Sequence, residues 1–206
     1  MPERGNNIAI IVLAAGASTR LGQPKQLLRL GDKTLLAQIC ETALSIENQQ
    51  VVVVLGANCE AIKPAVEHLP VEIIFNEKWS EGMGRSIACG MSQLRPDAGA
   101  VLLLLCDQPF VTTDFLSDLV GKWRNSPVQI VASSYAGTFG PPAIFDQKLF
   151  PELAALQGQQ GAKKLMEKHR AQLALVDFPD GEKDVDTPGD WERIGELASQ
   201  TIGRNP

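Results

Sequence analysis

The sequence predicts a single α/β domain built on a mostly parallel sheet, and three observations lead there. Short apolar runs recur at Ile8–Ala14, Val51–Leu55, Val71–Phe75, Val101–Leu105 and Gln129–Ser133. Segments of helical period lie between them. A length of 206 residues suits one domain, with no internal repeat, low-complexity tract or linker-like stretch to divide it.

The runs are rich in β-branched residues or leucine and too short for helices, which suits strands buried on both faces. After the first run, Thr34–Ile46 places Leu35, Leu36, Ile39, Ala43 and Ile46 on one helical face. Glu60–Leu69, Ser86–Leu94 and Thr112–Trp123 repeat the helical period. The last opens with Thr112, Thr113 and Asp114, an N-cap followed by an acid in the first turn. Alternating strands and helices imply parallel strands joined by right-handed crossovers. After Ser134 the rhythm changes. Gly137–Phe145 reads as a turn-rich segment feeding a short apolar run. Two short helices follow at Gln147–Leu156 and Ala162–His169, then a strand at Leu173–Phe178 and a terminal helix from near Pro188, a favourable first helical residue. In a sheet of this kind ligands bind at the carboxyl ends of the strands.

Composition narrows the function. The net charge of −5 argues against nucleic acid as a partner, because phosphate neutralisation needs a basic face. An anionic ligand would need local positive charge plus a metal. Cys40, Cys59, Cys89 and Cys106 form no Cys-x-x-Cys pair and read as reduced core thiols. The polar leader Met1–Asn7 has no signal-peptide character, and no apolar run is long enough to span a membrane, so a cytoplasmic protein is expected. His68 and His169 both read as solvated helix positions. Neither a Ser-His-Asp nor a Cys-His arrangement is expected, nor a zinc site.

Three constellations fall at strand ends. Leu13-Ala-Ala-Gly-Ala-Ser-Thr-Arg-Leu-Gly-Gln-Pro-Lys25 follows the first strand. Its small residues Ala14, Ala15 and Gly16 offer backbone amides, which bind anions when clustered, and Arg20 and Lys25 add mobile charge. The spacing matches neither a P-loop nor Gly-x-Gly-x-x-Gly. Cys106-Asp107-Gln108-Pro109 ends the most apolar strand, so Asp107 emerges into the crevice; a divalent cation would offset its burial, and a turn cap is the alternative. In Asp184-Val185-Asp186-Thr187-Pro188, extended backbone would place both carboxylates on one side, where a metal or cation relieves their repulsion. The alternative is that Asp186 or Thr187 caps the terminal helix. A fourth segment, Asn76–Ser86, holds Gly82 and Ser86 at a helix start, where backbone donors can be brought near a base or sugar; a flexible αβ loop is the alternative. Glycine-rich amides, Arg, Lys and separated aspartates suit phosphoryl or nucleotidyl transfer, in which positioning and charge neutralisation dominate. Two cationic side chains cannot offset a triphosphate on an acidic protein, which implies Mg²⁺.

Leu13-Ala-Ala-Gly-x-Ser-x-Arg-x-Gly-x-x-Lys25 resembles the signature of nucleotidyltransferases with a glycosyltransferase-A-like, Rossmann-like three-layer fold. Lys25-Gln-Leu-Leu, Cys106-Asp-Gln-Pro, Gly-x-x-Gly-x-Pro-x-x-Phe and Asp184-Val-Asp-Thr-Pro188 together look like the molybdenum cofactor cytidylyltransferases and their relatives, MobA-like NTP transferases. The resemblance covers about residues 8–198. It implies transfer of CMP from CTP to molybdopterin-bound molybdenum, with release of pyrophosphate. It also implies roles: Leu13, Ala14, Ala15 and Gly16 against the nucleotide; Arg20 and Lys25 on its phosphates; Gly82 and Ser86 near ribose and base. Asp107 and Asp186 would hold Mg²⁺, with Lys25, Arg20 and Asp107 as the catalytic set, and the pterin would enter near Gly140 and Pro142. Relatives often carry His or Asn where this chain has Pro141. Two other readings stand beside it: a guanylyl- or other nucleotidyltransferase with a different phosphorylated acceptor, and a non-catalytic module delivering the cofactor to a molybdenum hydroxylase or its chaperone.

Overall fold

A computed structural model describes residues 7–46, 49–159 and 161–202. Strand β1 (Asn7–Ala14) is followed by a small hairpin, β2 (Arg29–Leu30) and β3 (Lys33–Thr34), then α1 (Leu35–Leu44) and β4 (Gln49–Leu55). A short α2 (Cys59–Ile62), β5 (Glu72–Phe75), α3 (Met83–Met91), β6 (Ala98–Leu105) and α4 (Thr113–Arg124) continue the alternation. The chain then runs through β7 (Ile130–Tyr135), β8 (Thr138–Asp146), α5 (Phe150–Ala154), α6 (Ala162–Lys168), β9 (Leu173–Asp177) and α7 (Pro188–Ile202).

Seven strands form one sheet in the order β5-β4-β1-β6-β8-β7-β9. The β1/β4, β1/β6, β4/β5 and β7/β9 pairs are parallel, whereas β8 is antiparallel to both its neighbours. The expected mostly parallel sheet is therefore observed. Because β4 and β6 flank β1 on opposite sides, the chain reverses its direction of travel across the sheet there, and a crevice opens at the carboxyl end of β1.

The central strands are apolar on both faces because helices cover both. Ile8, Ile10 and Val12 pack with Leu36 and Ile39 of α1 and with Leu116, Leu119 and Trp123 of α4. Ile11 and Leu13 face the other way, onto Ile87 and Met91 of α3, Leu153 of α5 and Met166 of α6. A third, smaller cluster of Leu21, Leu28, Leu35, Val185 and Ile194 ties the segment after β1 to the start of α7. No helix among the described residues is long and apolar enough to cross a membrane.

Three local readings of the sequence are corrected. The helix expected over Glu60–Leu69 is a single turn, α2, followed by a 3-10 turn at Lys63–Ala65. Pro64 lacks an amide proton and restricts the residue before it, so the helical pattern is not extended. The segment read as turn-rich, Gly137–Phe145, is mostly the nine-residue strand β8, lying between β6 and β7. A register shift in β7 between Ala132 and Ser133 takes up Pro141 and Pro142, so neither proline has to fill a ladder position opposite β7. His68 lies in a turn rather than on a helix, while His169 caps α6 at its C-terminal end and contacts Glu152.

Candidate active site

The glycine-rich segment leaves the end of β1 and folds back on itself. Ser18 adopts a positive φ of 54° and Gly22 one of 76°, and the Ser18 carbonyl accepts from the amides of Leu21 and Gly22. The Ser18 hydroxyl accepts from the Lys25 amide at 3.1 Å, closing the loop. Beneath it Gln26, fully buried, donates through Nε2 to the carbonyls of Ala14 at 2.8 Å and Gly16 at 2.9 Å.

Asp107 lies just beyond β6, where the Cys106 amide donates to the Leu13 carbonyl. The Val185 amide donates to the Asp107 carbonyl at 3.0 Å and so brings the segment before α7 alongside. Lys25 Nζ then reaches Asp107 Oδ2 at 2.6 Å, Asp186 Oδ1 at 3.0 Å and the Val185 carbonyl at 3.2 Å. Arg20 donates to the other oxygen of Asp186 at 2.7 Å. The lysine and Asp107 side chains are largely enclosed, while Arg20 is open to solvent.

Burial works against the charge on Lys25, but Asp107, by charge and hydrogen bond, outweighs it with help from Asp186, so the ammonium pKa is raised. Burial likewise disfavours ionised Asp186, but Lys25 and Arg20 hold its pKa below the ordinary carboxylate value. Asp184 goes the other way: burial first, then the like charges of Asp107 and Asp186, raise its pKa. The two carboxylates that the spacing grouped together are thus distinct: Asp186 accepts from the lysine, and Asp184 carries the raised pKa.

The capping question is resolved at the same place. Thr187 Oγ1 accepts from the Asp190 amide at 3.3 Å, while Asp190 Oδ2 accepts from the Thr187 amide at 2.8 Å, a reciprocal capping box. Thr187 starts the helix, leaving both Asp186 oxygens for Lys25 and Arg20.

Leu13, Ala14, Ala15, Gly16, Arg20, Lys25, Gly82, Ser86 and Asp107 all line one cavity of about 520 Å³. At its far wall Gly82 has φ 119°, and a Cβ there would lie 2.4 Å from the Gly158 carbonyl oxygen. Ser86 Oγ accepts from Asn76 Nδ2 at 3.0 Å, and Asn76 Oδ1 accepts from the Lys78 amide, which fixes the amide's orientation. Gly140 and Pro142 do not line this cavity. Both are buried; Tyr135 Oη closes over Gly140, and the Pro142 carbonyl accepts from Ser133 Oγ at 2.7 Å. Gln108 links the two regions by donating to the Pro141 carbonyl at 3.0 Å.

Sequence reasoning missed Gln26, Asn76, Trp79 and Gln159, although Gln26, Trp79 and Gln159 line the cavity. A polar Gln26 ahead of Leu27 and Leu28 was the available signal; nothing local marks Gln159.

Residues 10–173 match the model of the MobA-like NTP transferase domain. The chain belongs to this family. It is a nucleotidyltransferase of MobA-like type, as the resemblance implied. Among its relatives, purine catabolism protein PucB of Bacillus subtilis (strain 168) is 31% identical over 198 residues, covering 89% of this chain and 94% of PucB. Nicotine blue oxidoreductase of Paenarthrobacter nicotinovorans is 33% identical over 200 residues, with the same 89% and 94% coverage. The crystal structure of an Rv0371c homologue from Mycobacterium sp. strain JC1 superimposes with a TM-score of 0.82 at 30% identity, covering 96% of this chain and 99% of that one. Rv0371c of Mycobacterium tuberculosis H37Rv, in complex with manganese, gives 0.77 at 30% identity over 92% and 98% of the two chains. For this MobA-like chain the fold expectation holds across the whole sheet.

Proposed function

We propose that the protein transfers CMP from CTP to the molybdenum-pterin cofactor and releases pyrophosphate. The observation that carries the nucleotidyl-transfer reading is Lys25, held between Asp107 and Asp186 at the mouth of the glycine-rich loop. The choice of CTP and of the pterin acceptor rests on the motif resemblance.

Charge counting supports a divalent cation. Lys25 and Arg20 face Asp107 and Asp186, so the cluster is close to neutral and cannot by itself hold a triphosphate. The donor set fits Mg²⁺: two carboxylates of hard oxygen, with Asp107 Oδ1 buried and without a hydrogen-bond partner among the described residues. Those residues contain no cluster of three or more metal-binding side chains, so phosphate and water oxygens would complete the shell. Asp107 and Asp186 would hold the ion, which when bound neutralises phosphate charge and polarises the reacting phosphorus. Manganese in the Rv0371c complex is consistent with a divalent site in this family.

In this reading a phosphate oxygen of the acceptor attacks the α-phosphorus of CTP in line. A new P–O bond forms as the bond to the bridging oxygen breaks, and pyrophosphate leaves with that electron pair. Lys25 stabilises the charge gathering on the phosphoryl oxygens, Arg20 follows the departing pyrophosphate, and Ala14, Ala15 and Gly16 hold the chain of phosphates. Gly82 and Ser86 flank ribose and base. The acceptor approaches from the side of Gly140 and Pro142, where Gln108 and Tyr135 lie. Reduced cysteines, two of them buried and none in a disulfide, suit a cytoplasmic enzyme.

Pyrophosphate release is measured with CTP, GTP, ATP and UTP, each with Mg²⁺ and the molybdenum cofactor. The proposal expects turnover with CTP, and a fall of about 100-fold or more in K25A and D107N. A preference for GTP would replace the nucleotide, and turnover only with another acceptor would replace the pterin. Cofactor binding without turnover would identify a delivery module. Near-normal rates in both variants would overturn the assignment of the site.

A further inference from the structure

Gln26 sits in the 3-10 turn Lys25–Leu27, fully buried, and both protons of its side-chain amide are used on the loop above it. One goes to the Ala14 carbonyl and the other to the Gly16 carbonyl. A trans peptide unit points its carbonyl and its amide in opposite directions. Drawing the Ala14 carbonyl toward Gln26 therefore turns the Ala15 amide away from it, and drawing the Gly16 carbonyl does the same to the Ala17 amide. Ala15 and Ala17 both line the cavity beside Lys25 and Asp107. The intervening carbonyl, that of Ala15, is held separately by the Ala57 amide at 3.0 Å. Successive peptide units from Ala14 to Ala17 are thus anchored by their carbonyls.

We infer that Gln26 is a positioning residue that orients the backbone amides of the glycine-rich loop toward the phosphates of the nucleotide; the inference rests on the nucleotidyl-transfer reading above. It is buried and acts through the loop. The residue type follows from the task. Glutamine has two amide protons on one nitrogen at the end of a side chain of this length. Glutamate would set a buried carboxylate against two carbonyl oxygens, and an apolar side chain would leave both carbonyls without donors. The Ser18 hydroxyl, which accepts from the Lys25 amide, lies 3.5 Å from Gln26 Oε1, so the same side chain also steadies the turn that delivers Lys25.

The experiment begins with the wild-type protein. CTP, GTP, ATP and UTP are titrated with Mg²⁺ by calorimetry, and the tightest-binding one is added to ¹⁵N-labelled protein. The Ala15 and Ala17 amide resonances are expected to move downfield. Q26M is then compared with Q50M. Gln50 is also buried and hydrogen-bonded, to Gln93, Glu72 and Arg95, at the opposite end of the sheet. The dissociation constant of the nucleoside triphosphate should rise about tenfold or more in Q26M and stay within about twofold in Q50M at a comparable loss of melting temperature. Binding of no triphosphate by the wild type would overturn the nucleotidyl-transfer reading and this inference with it. Triphosphate binding that leaves both amide resonances in place, or an unchanged affinity in Q26M, would overturn the inference alone. So would equal losses of affinity in Q26M and Q50M. If Q26M does not fold, Q26N takes its place: it keeps an amide but is one methylene too short for both carbonyls, so it should weaken triphosphate binding in the same way, and an affinity within about twofold of wild type would overturn the inference.

Discussion

Lys25 keeps its charge in a mostly enclosed position because carboxylates from two distant segments meet it there. The depressed pKa of Asp186 gives this arrangement a definite pH signature. A carboxylate whose folded pKa is below its unfolded value stabilises the fold above that unfolded value, near 3.8. The stabilisation is lost as pH falls through the lower folded value. The stability difference between wild type and D186N is therefore expected to be constant near neutrality and to shrink below about pH 4. Urea unfolding at about pH 7 and about pH 3 measures it. Gly82 offers a steric test. Its φ of 119° and the nearby Gly158 backbone exclude a side chain, so G82A should lose about 1–3 kcal/mol of stability and weaken nucleotide binding. Unfolding midpoints and nucleotide titrations together would separate the two effects. The loop's small residues and its two basic residues are legible because they are local; the partner of Lys25 is not.

At the level of elements, the start of α7 couples helix stability to the site. The capping box between Thr187 and Asp190 fixes the residue immediately after Asp186. T187A should cost about 1 kcal/mol, a fall of about 2–4 °C in melting temperature, and should also lower turnover by loosening Asp186. T187S should restore both, which calorimetry and pyrophosphate release would check. In β7, S133A would leave the buried Pro142 carbonyl of β8 without its donor and should destabilise the protein by about 1–3 kcal/mol. Retained wild-type stability there would show that the bulged register of β7 and β8 does not depend on Ser133. Strands β1, β4, β5, β6 and β7 were readable because their apolar runs have the length and composition of sheet strands, whereas the two-residue strands of the β2–β3 hairpin leave no such pattern. The strand β8 was not, because glycine and two prolines look like turn residues until the bulge opposite them is known.

Across the whole molecule, the two faces of the sheet are sealed by separate sets of helices, so the core and the site carry different loads. Leu103, fully buried in β6, is part of the core alone. L103A should cost about 2–5 kcal/mol, while turnover per folded molecule stays close to wild type. Denaturation curves paired with rates below the transition would test the separation. A net charge of −5 sets the wider field against any nucleotide, so binding depends on the local cluster at the carboxyl end of β1 rather than on the surface as a whole. The α/β alternation, the glycine-rich loop after β1 and the aspartate just beyond β6 were all legible in the sequence, because each is a local pattern of period, size or charge; Asp186 instead lies nine residues past the end of β9, just before α7. Only the tertiary structure decided which charges meet. Lys25 contacts Asp107 82 residues away and Asp186 161 residues away, and no local rule relates them. Their meeting depends on β6 lying beside β1 and on the backbone of Val185 pairing with Asp107.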